Sequence, residues 1–166
     1  ASAVTGKLTV NERPPYQYTL AGWTFDDKDR ITDRAIAANR QASLNLHGAG
    51  VEGYDDKDGG FVMATESWHM EQGEDSLKYM KTGLSTEGFQ NIRVSSAFKG
   101  TGSSARDFKF QYSVDGKRWV DVHGGVITIG DNWTDGVLRG LLLPEEAENQ
   151  PDLMIRWLRI GDERVD

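Results

Sequence analysis

The chain has 166 residues with 26 acidic and 19 basic side chains, which gives a formal net charge of −7, and it contains no cysteine. This length predicts one domain spanning residues 1–166. The negative charge disfavours nucleic-acid and anionic-lipid partners, and the absence of cysteine excludes disulfides, thiol catalysis and thiolate zinc sites. No apolar run approaches the ~20 residues of a membrane helix, so membrane insertion is not expected.

The first half of the chain predicts short strands and at most one short helix. Asp33–Gln41 is the one helical candidate, because Asp33 has the right chemistry for an N-cap and Ala35–Ala38 favour helix. Around it, β-rich runs are separated by Gly, Asp and Ser clusters, which is typical of strands and turns. The predicted strands here are Tyr16–Trp23, Ala42–Leu46, Phe61–Ala64 and Leu77–Met80.

The period-two pattern is clearest in the middle of the chain. Asn91–Phe98 alternates polar and apolar residues, and Asp107–Val114 does so almost perfectly. Successive side chains of a strand face opposite sides, so Phe108, Phe110 and Tyr112 are predicted to line a core. The Asp115-Gly116 pair that follows predicts a hairpin turn, because such turns require positive φ.

The last predicted strands complete an all-β chain. Val126–Ile129 and Val137–Leu143 are β-rich, and Leu153–Ile160 is apolar on both parities. A strand of the last kind is either central and covered on both faces or lies at a protein contact. About nine strands in total predict a two-sheet antiparallel β-sandwich.

No pattern in the sequence favours catalysis, so the protein is not expected to be an enzyme. There is no Gly-x-Ser-x-Gly motif, and the three histidines, His47, His69 and His123, show no metal-ligand spacing. With 26 acidic residues, sequence alone nominates no carboxylate pair for sugar hydrolysis.

An acidic cluster is the one candidate for a metal site. Asp55, Asp56 and Asp58 supply the oxygen ligands that calcium prefers, so a structural calcium ion is one hypothesis. The cluster lacks the Asp-x-Asp-x-Asp-Gly register of a calcium loop, and a solvated turn is the other interpretation.

Aromatic residues beside polar or Gly-rich segments are the best candidates for a binding site. Sugars stack their C–H faces on such rings and take hydrogen bonds from neighbouring polar groups. The candidates are Trp133 first, then Trp23, Tyr54 and Trp68, whereas Trp119 and Trp157 are expected in the core. The polar side chains of the two clearest strands, Arg93, Lys109 and Gln111, are the alternative, as the lining of a concave sheet.

Several segments resemble a known type of module. They are Thr86–Ser95, Arg106–Trp119, Leu143–Gln150 and Leu153–Trp157, together with Trp23 and Phe25. This pattern resembles jelly-roll modules of large bacterial extracellular proteins, similar in plan to carbohydrate-binding modules and to discoidin-like domains of the galactose-binding type. The resemblance covers about two thirds of the chain and implies a fold, an extracellular or cell-surface location and sugar binding, but no particular ligand residue.

Two functions follow as expectations. The first is a non-catalytic glycan-binding module, joined to flanking domains of a larger parent protein, whose negative charge favours a neutral glycan. The second is a structural or adhesive module of a surface-layer, scaffold or adhesion protein. Two features favour the second, because an unpaired edge invites another chain: the doubly apolar strand Leu153–Ile160, and the absence of the further strand that modules of the resembled type have at the position after Val165-Asp166.

Overall fold

A computed structural model describes residues 2–10, 16–57, 60–68, 77–100 and 107–160. Within these ranges the regular structure consists of antiparallel β-strands and two short 3₁₀ helices, Ala37–Asn39 and Glu145–Ala147. The prediction of an all-β chain is therefore confirmed. The strands are β1 Ser2–Val10, β2 Tyr16–Tyr18, β3 Ala21–Gly22, β4 Arg34–Ala35, β5 Asn45–His47, β6 Gly50–Lys57, β7 Gly60–Glu66, β8 Tyr79–Leu84, β9 Ile92–Phe98, β10 Asp107–Ser113, β11 Val120–Thr128, β12 Gly136–Leu142 and β13 Leu153–Arg159.

The larger sheet contains eight of the described strands and is organised around β1. Its main order is β12-β9-β1-β3-β4, with β2 and β7 also pairing with β1 and β6 pairing with β7. Strand β1 pairs with β9 over seven residue pairs, from Ser2 with Phe98 to Leu8 with Ile92. The pattern in the sequence had not predicted β1, whose Thr-Gly-Lys centre lacks the alternation of a half-buried strand.

The smaller sheet has five described strands in the order β11-β10-β13-β8-β5. The turn after β10 is built on Asp115-Gly116, as predicted, and Gly116 has the positive φ of 75° that the turn requires. Strand β11 shifts register against β10 between Lys109 and Gln111. Gly125 lies in the resulting bulge, where an added Cβ would be 2.9 Å from the carbonyl oxygen of Val122.

The core lies where the inner faces of the two sheets meet. Phe108, Phe110 and Tyr112 are 3%, 0% and 2% exposed, as their alternation predicted. The ring of Phe98, from the larger sheet, stacks on Phe108 at 6.0 Å between centroids. The indole Nε1 of Trp157 donates a hydrogen bond to Ser96 Oγ at 3.1 Å, which joins the two sheets inside the core.

Two predictions made from the sequence differ from the structure. The predicted helix Asp33–Gln41 is only the 3₁₀ turn Ala37–Asn39, because Asp33 caps nothing there and instead accepts hydrogen bonds from Thr24. The segment containing Asp55 and Asp56 is part of strand β6 and not a turn.

The position of β13 decides between the two roles that its apolar pattern allowed. It pairs with β10 on one side and with β8 on the other, so it is a central strand. Both edges of Leu153–Arg159 are therefore paired, and this strand offers no open edge to another chain.

Candidate binding face

Five polar side chains lie in register across the outer face of the smaller sheet. Gln111 is paired with Asp121 on β11 and with Arg156 on β13, Arg156 is paired with Lys81 on β8, and Lys81 with Asn45 on β5. Residues directly opposite each other on antiparallel strands have neighbouring side chains. We call Asn45, Lys81, Arg156, Gln111 and Asp121 the outer row.

Arg156 is the most constrained member of the outer row. Its Nε donates to Gln111 Oε1 at 2.8 Å, and Gln111 Nε2 in turn donates to Asp121 Oδ1 at 2.6 Å. Its guanidinium carbon lies 4.0 Å from the ring centroid of Trp119 and 5.0 Å from that of Tyr79. These contacts leave Arg156 7% exposed and fix the plane of its guanidinium group.

The turn between β10 and β11 positions Trp119. Asp115 Oδ1 accepts hydrogen bonds from the backbone N–H groups of Lys117 and Arg118, both at 2.8 Å, and from Ser113 Oγ at 3.0 Å. These backbone N–H groups lower the pKa of Asp115 to about 2. Arg118 also forms a 3.1 Å ion pair with Glu146, so the chain entering β11 is held from two sides.

Aromatic stacking continues the face beyond Arg156. The imidazole of His47 stacks on the ring of Tyr79 with 4.8 Å between centroids and an angle of 18°. Lys81 Nζ lies 6.0 Å from the centroid of the same ring. Trp119, Arg156, Tyr79 and His47 thus form a continuous stack across four strands or their ends.

Asp121 and Arg156, the two charged groups that are joined through Gln111, both have shifted pKa values. The pKa of Asp121 is lowered, first by the hydrogen bond from Gln111 and then by Lys109, whose Nζ is 3.2 Å away. Asp121 is therefore ionised at neutral pH and acts as a hydrogen-bond acceptor, not as a proton donor. Burial lowers the pKa of Arg156, and nearby Tyr79 and Asp121 oppose that effect.

A cleft of about 210 Å³ adjoins the outer row. Gly83 and Met154 are a directly opposed pair, two residues along their strands from Lys81 and Arg156, and both line the cleft. Its far wall includes Gln41, Ser85 and Asp152. The outer face therefore adjoins a small cleft whose lining is mixed, with apolar side chains beside the polar ones.

The polar residues predicted from sequence separate between the two sheets. Gln111 is a member of the outer row and Lys109 contacts it through Asp121. Arg93 lies on β9 of the larger sheet, where its Nη1 donates to the Gly140 carbonyl oxygen at 3.0 Å. Arg93 therefore does not share a face with Gln111.

The four predicted aromatic residues lie in four different neighbourhoods. Trp23 is 2% exposed and its Nε1 donates to the Arg30 carbonyl oxygen, so its ring offers no face to solvent. Tyr54 packs near Phe25, and burial raises the pKa of its phenol. Trp68 is partly buried against Phe108 and donates to Thr65 Oγ1, and Trp133 lies 5.9 Å from Lys99 Nζ.

The acidic cluster does not converge in the part of the chain that the structure describes. Asp55 and Asp56 are exposed neighbours on β6, and successive side chains of a strand face opposite sides. Asp58 lies outside the described residues. Among the described residues no group of three His, Asp or Glu side chains is gathered to hold a metal ion. The calcium site stays a prediction.

Sequence reasoning missed most of the outer row. Trp119 was expected in the core, yet it is partly exposed and covers Arg156. Arg156 was not predicted as a site residue, because it lies in the strand Leu153–Ile160, whose pattern was interpreted as apolar on both faces. The alternation of side chains along the strand could have identified it, because Arg156 lies between the inward-facing Ile155 and Trp157 and therefore faces outward.

Comparison of the chain with protein-family models, with curated proteins and with solved structures finds no match. No helix among the described residues is long and apolar enough to cross a membrane.

Proposed function

We propose that this protein is a non-catalytic glycan-binding module, with a jelly-roll β-sandwich fold, that acts outside the cell or at its surface as part of a larger protein. The observation that carries the proposal is the stack formed by Trp119, Arg156, Tyr79 and His47 beside the hydrogen-bonding groups of the outer row. Rings and planar polar groups on one rigid face are the combination that sugar recognition requires.

Trp119 is the ring that we expect to stack on a sugar. One of its faces is occupied by the guanidinium of Arg156, and the indole is partly exposed. Its position is fixed by the Asp115 turn, so little conformational entropy is lost when a ligand binds.

The polar groups at the face match sugar hydroxyls. Asp121 has a side chain 64% exposed and accepts hydrogen bonds, while Lys109 beside it donates. Asn45 is exposed at the other end of the row and does both. The outer row and the stack combine rings with hydrogen-bonding groups, and among these described residues no nucleophile is hydrogen-bonded to a base, so binding without catalysis is the function proposed.

Affinity gels that contain neutral and acidic polysaccharides test this function, with tryptophan fluorescence as a second readout. We expect retention on at least one glycan, and at least a 10-fold loss of affinity for Trp119→Ala. Trp133→Ala is the matched control and tests the loop that the sequence favoured; we expect it to bind normally. Thermal melts of both variants separate loss of binding from loss of folding.

Two results would count against the proposal. Retention on no glycan of the panel would remove the function. Loss of binding in Trp133→Ala, with Trp119→Ala unchanged, would move the site away from the outer face.

A further inference from the structure

Lys81 and Arg156 are two cations placed directly opposite each other. They are a register pair of β8 and β13, in the middle of the smaller sheet. Like charges in this arrangement are destabilising, because directly opposed side chains lie close together. An anion bound between them would remove that repulsion.

Within the described residues, no carboxylate forms a hydrogen bond or an ion pair with Lys81 or Arg156. The ion pair on this face is between Lys109 and Asp121, and Asp121 interacts with Arg156 at longer range and is joined to it by hydrogen bonds only through the amide of Gln111. The contact of Lys81 is with the ring of Tyr79 and not with an acidic group. The acidic wall of the neighbouring cleft, Asp152, lies beyond Gly83 and Met154.

The guanidinium of Arg156 has donors left over. Only its Nε is engaged in a hydrogen bond with a described residue, so Nη1 and Nη2 have no acceptor among those residues. The side chain is nevertheless 7% exposed and held by two rings. A planar fork of donors in a fixed orientation matches the two oxygens of a carboxylate.

We infer that Lys81 and Arg156 bind the carboxylate of an acidic sugar, so that the glycan recognised on the outer face is a uronate polymer. This inference rests on the proposed function and changes one expectation from the sequence. The net charge of −7 favours a neutral glycan, but the two side chains that would hold the carboxylate, Lys81 and Arg156, are both positive. At ionic strengths near 0.15 M, screening over about 8 Å leaves the local pair dominant over distant acidic residues.

Matched polymers test the inference. Polygalacturonate, alginate and a glucuronan are each cast into affinity gels beside their carboxyl-reduced forms, which keep the backbone and lose the charge. We expect retention on at least one uronate polymer and at least 10-fold weaker retention on its reduced form. Dextran sulfate controls for attraction to any polyanion.

Variants locate the effect. Lys81→Gln is expected to weaken uronate binding about 10-fold, and Lys81→Arg to restore most of it. Lys28→Gln makes the same charge change at an exposed residue beside Phe61 of the larger sheet, and should leave binding unchanged. Arg156→Lys keeps the charge but loses the planar fork of guanidinium donors. Its uronate binding is compared with that of the parent only if its thermal melt remains cooperative, which shows that the variant folds.

The outcomes separate the two proposals. Equal retention on uronate and reduced polymers would overturn the carboxylate site and leave glycan binding in place. Equal retention on dextran sulfate would show a non-specific charge effect and would also overturn it. Retention on no polymer, neutral or acidic, would overturn both proposals.

Discussion

Gln111 is the link that holds Arg156 in place, and replacing it with methionine tests this role. Methionine has a similar length, so Gln111→Met removes two hydrogen bonds without opening a large cavity. Asp121 is 64% exposed and recovers its lost bond from water. Arg156 is 7% exposed and keeps an Nε without a partner, which costs about 1–3 kcal/mol.

The expected loss in the free energy of unfolding is therefore about 2 kcal/mol, measured by urea denaturation with tryptophan fluorescence. For a chain of this size the melting temperature should fall by about 4–8 °C. Without the amide donor, the pKa of Asp121 should also rise toward its ordinary value, which carboxyl-carbon NMR detects.

Lys109→Met is the matched control, because it acts on the same strand and face. It removes the partly exposed ion pair with Asp121, which is worth about 0–1 kcal/mol. Equal destabilisation by Gln111→Met and Lys109→Met would refute the reasoning. So would a loss below about 0.5 kcal/mol for Gln111→Met, because the buried guanidinium would then not depend on its amide partner.

Three further predictions test the surrounding framework. Burial, and then the hydrogen bond to Glu146, raise the pKa of Tyr112 from 10.0 to about 12. The raised pKa means that neutral Tyr112 stabilises the folded state, a contribution that is complete below pH 10 and is lost as the pH rises toward 12. The difference in tyrosinate absorbance between the parent and Tyr112→Phe should show this late titration. A midpoint near 10 would contradict it. The pKa of Asp115, about 2 instead of 3.8, makes its contribution to stability complete above pH 4 and lost as the pH falls through 2; an NMR midpoint near 4 would show that the turn does not hold the carboxylate. Gly125→Ala places a Cβ 2.9 Å from the Val122 carbonyl oxygen and should cost about 1–3 kcal/mol in urea unfolding, whereas Gly53→Ala, with no atom within 4 Å, should change stability by less than about 0.5 kcal/mol; equal effects would mean that the bulge adjusts freely.

Local patterns in the sequence predicted the smaller sheet well. The alternation of Phe108, Phe110 and Tyr112 identified the inner face of β10, and Asp115-Gly116 identified the turn that follows. Both signals come from a few neighbouring residues, since side-chain alternation and positive φ are local properties of the chain.

The larger sheet was harder to predict because its strands are stabilised by distant partners. Strand β6 is rich in Gly and Asp, which disfavour strands, and it read as an acidic turn until its pairing with β7 was known. Strand β1 shows the same limit, because its weak alternation gives no hint of the four strands it pairs with.

The binding face depended on register, which the sequence does not reveal. Lys81, Arg156 and Gln111 are separated by long stretches of chain, and only the pairing of β8, β13 and β10 makes them neighbours. A shift of one residue in any of these pairings would move the side chains of the shifted strand to the opposite face and break up the row. The contact of Trp119 with Arg156 likewise depends on the geometry of the Asp115-Gly116 turn, which precedes Trp119 in the chain.

The central place of β1 has a consequence for how the protein is made. Strand β1 leaves the ribosome before its main partner, β9, which follows roughly 90 residues later. At translation rates of about 5–20 residues per second, β1 waits for several seconds with its backbone unpaired on that side. We therefore expect slow, late assembly of the larger sheet during synthesis, and a shortened chain lacking residues 2–10 should leave β9 paired only with β12, with one unpaired edge that favours aggregation.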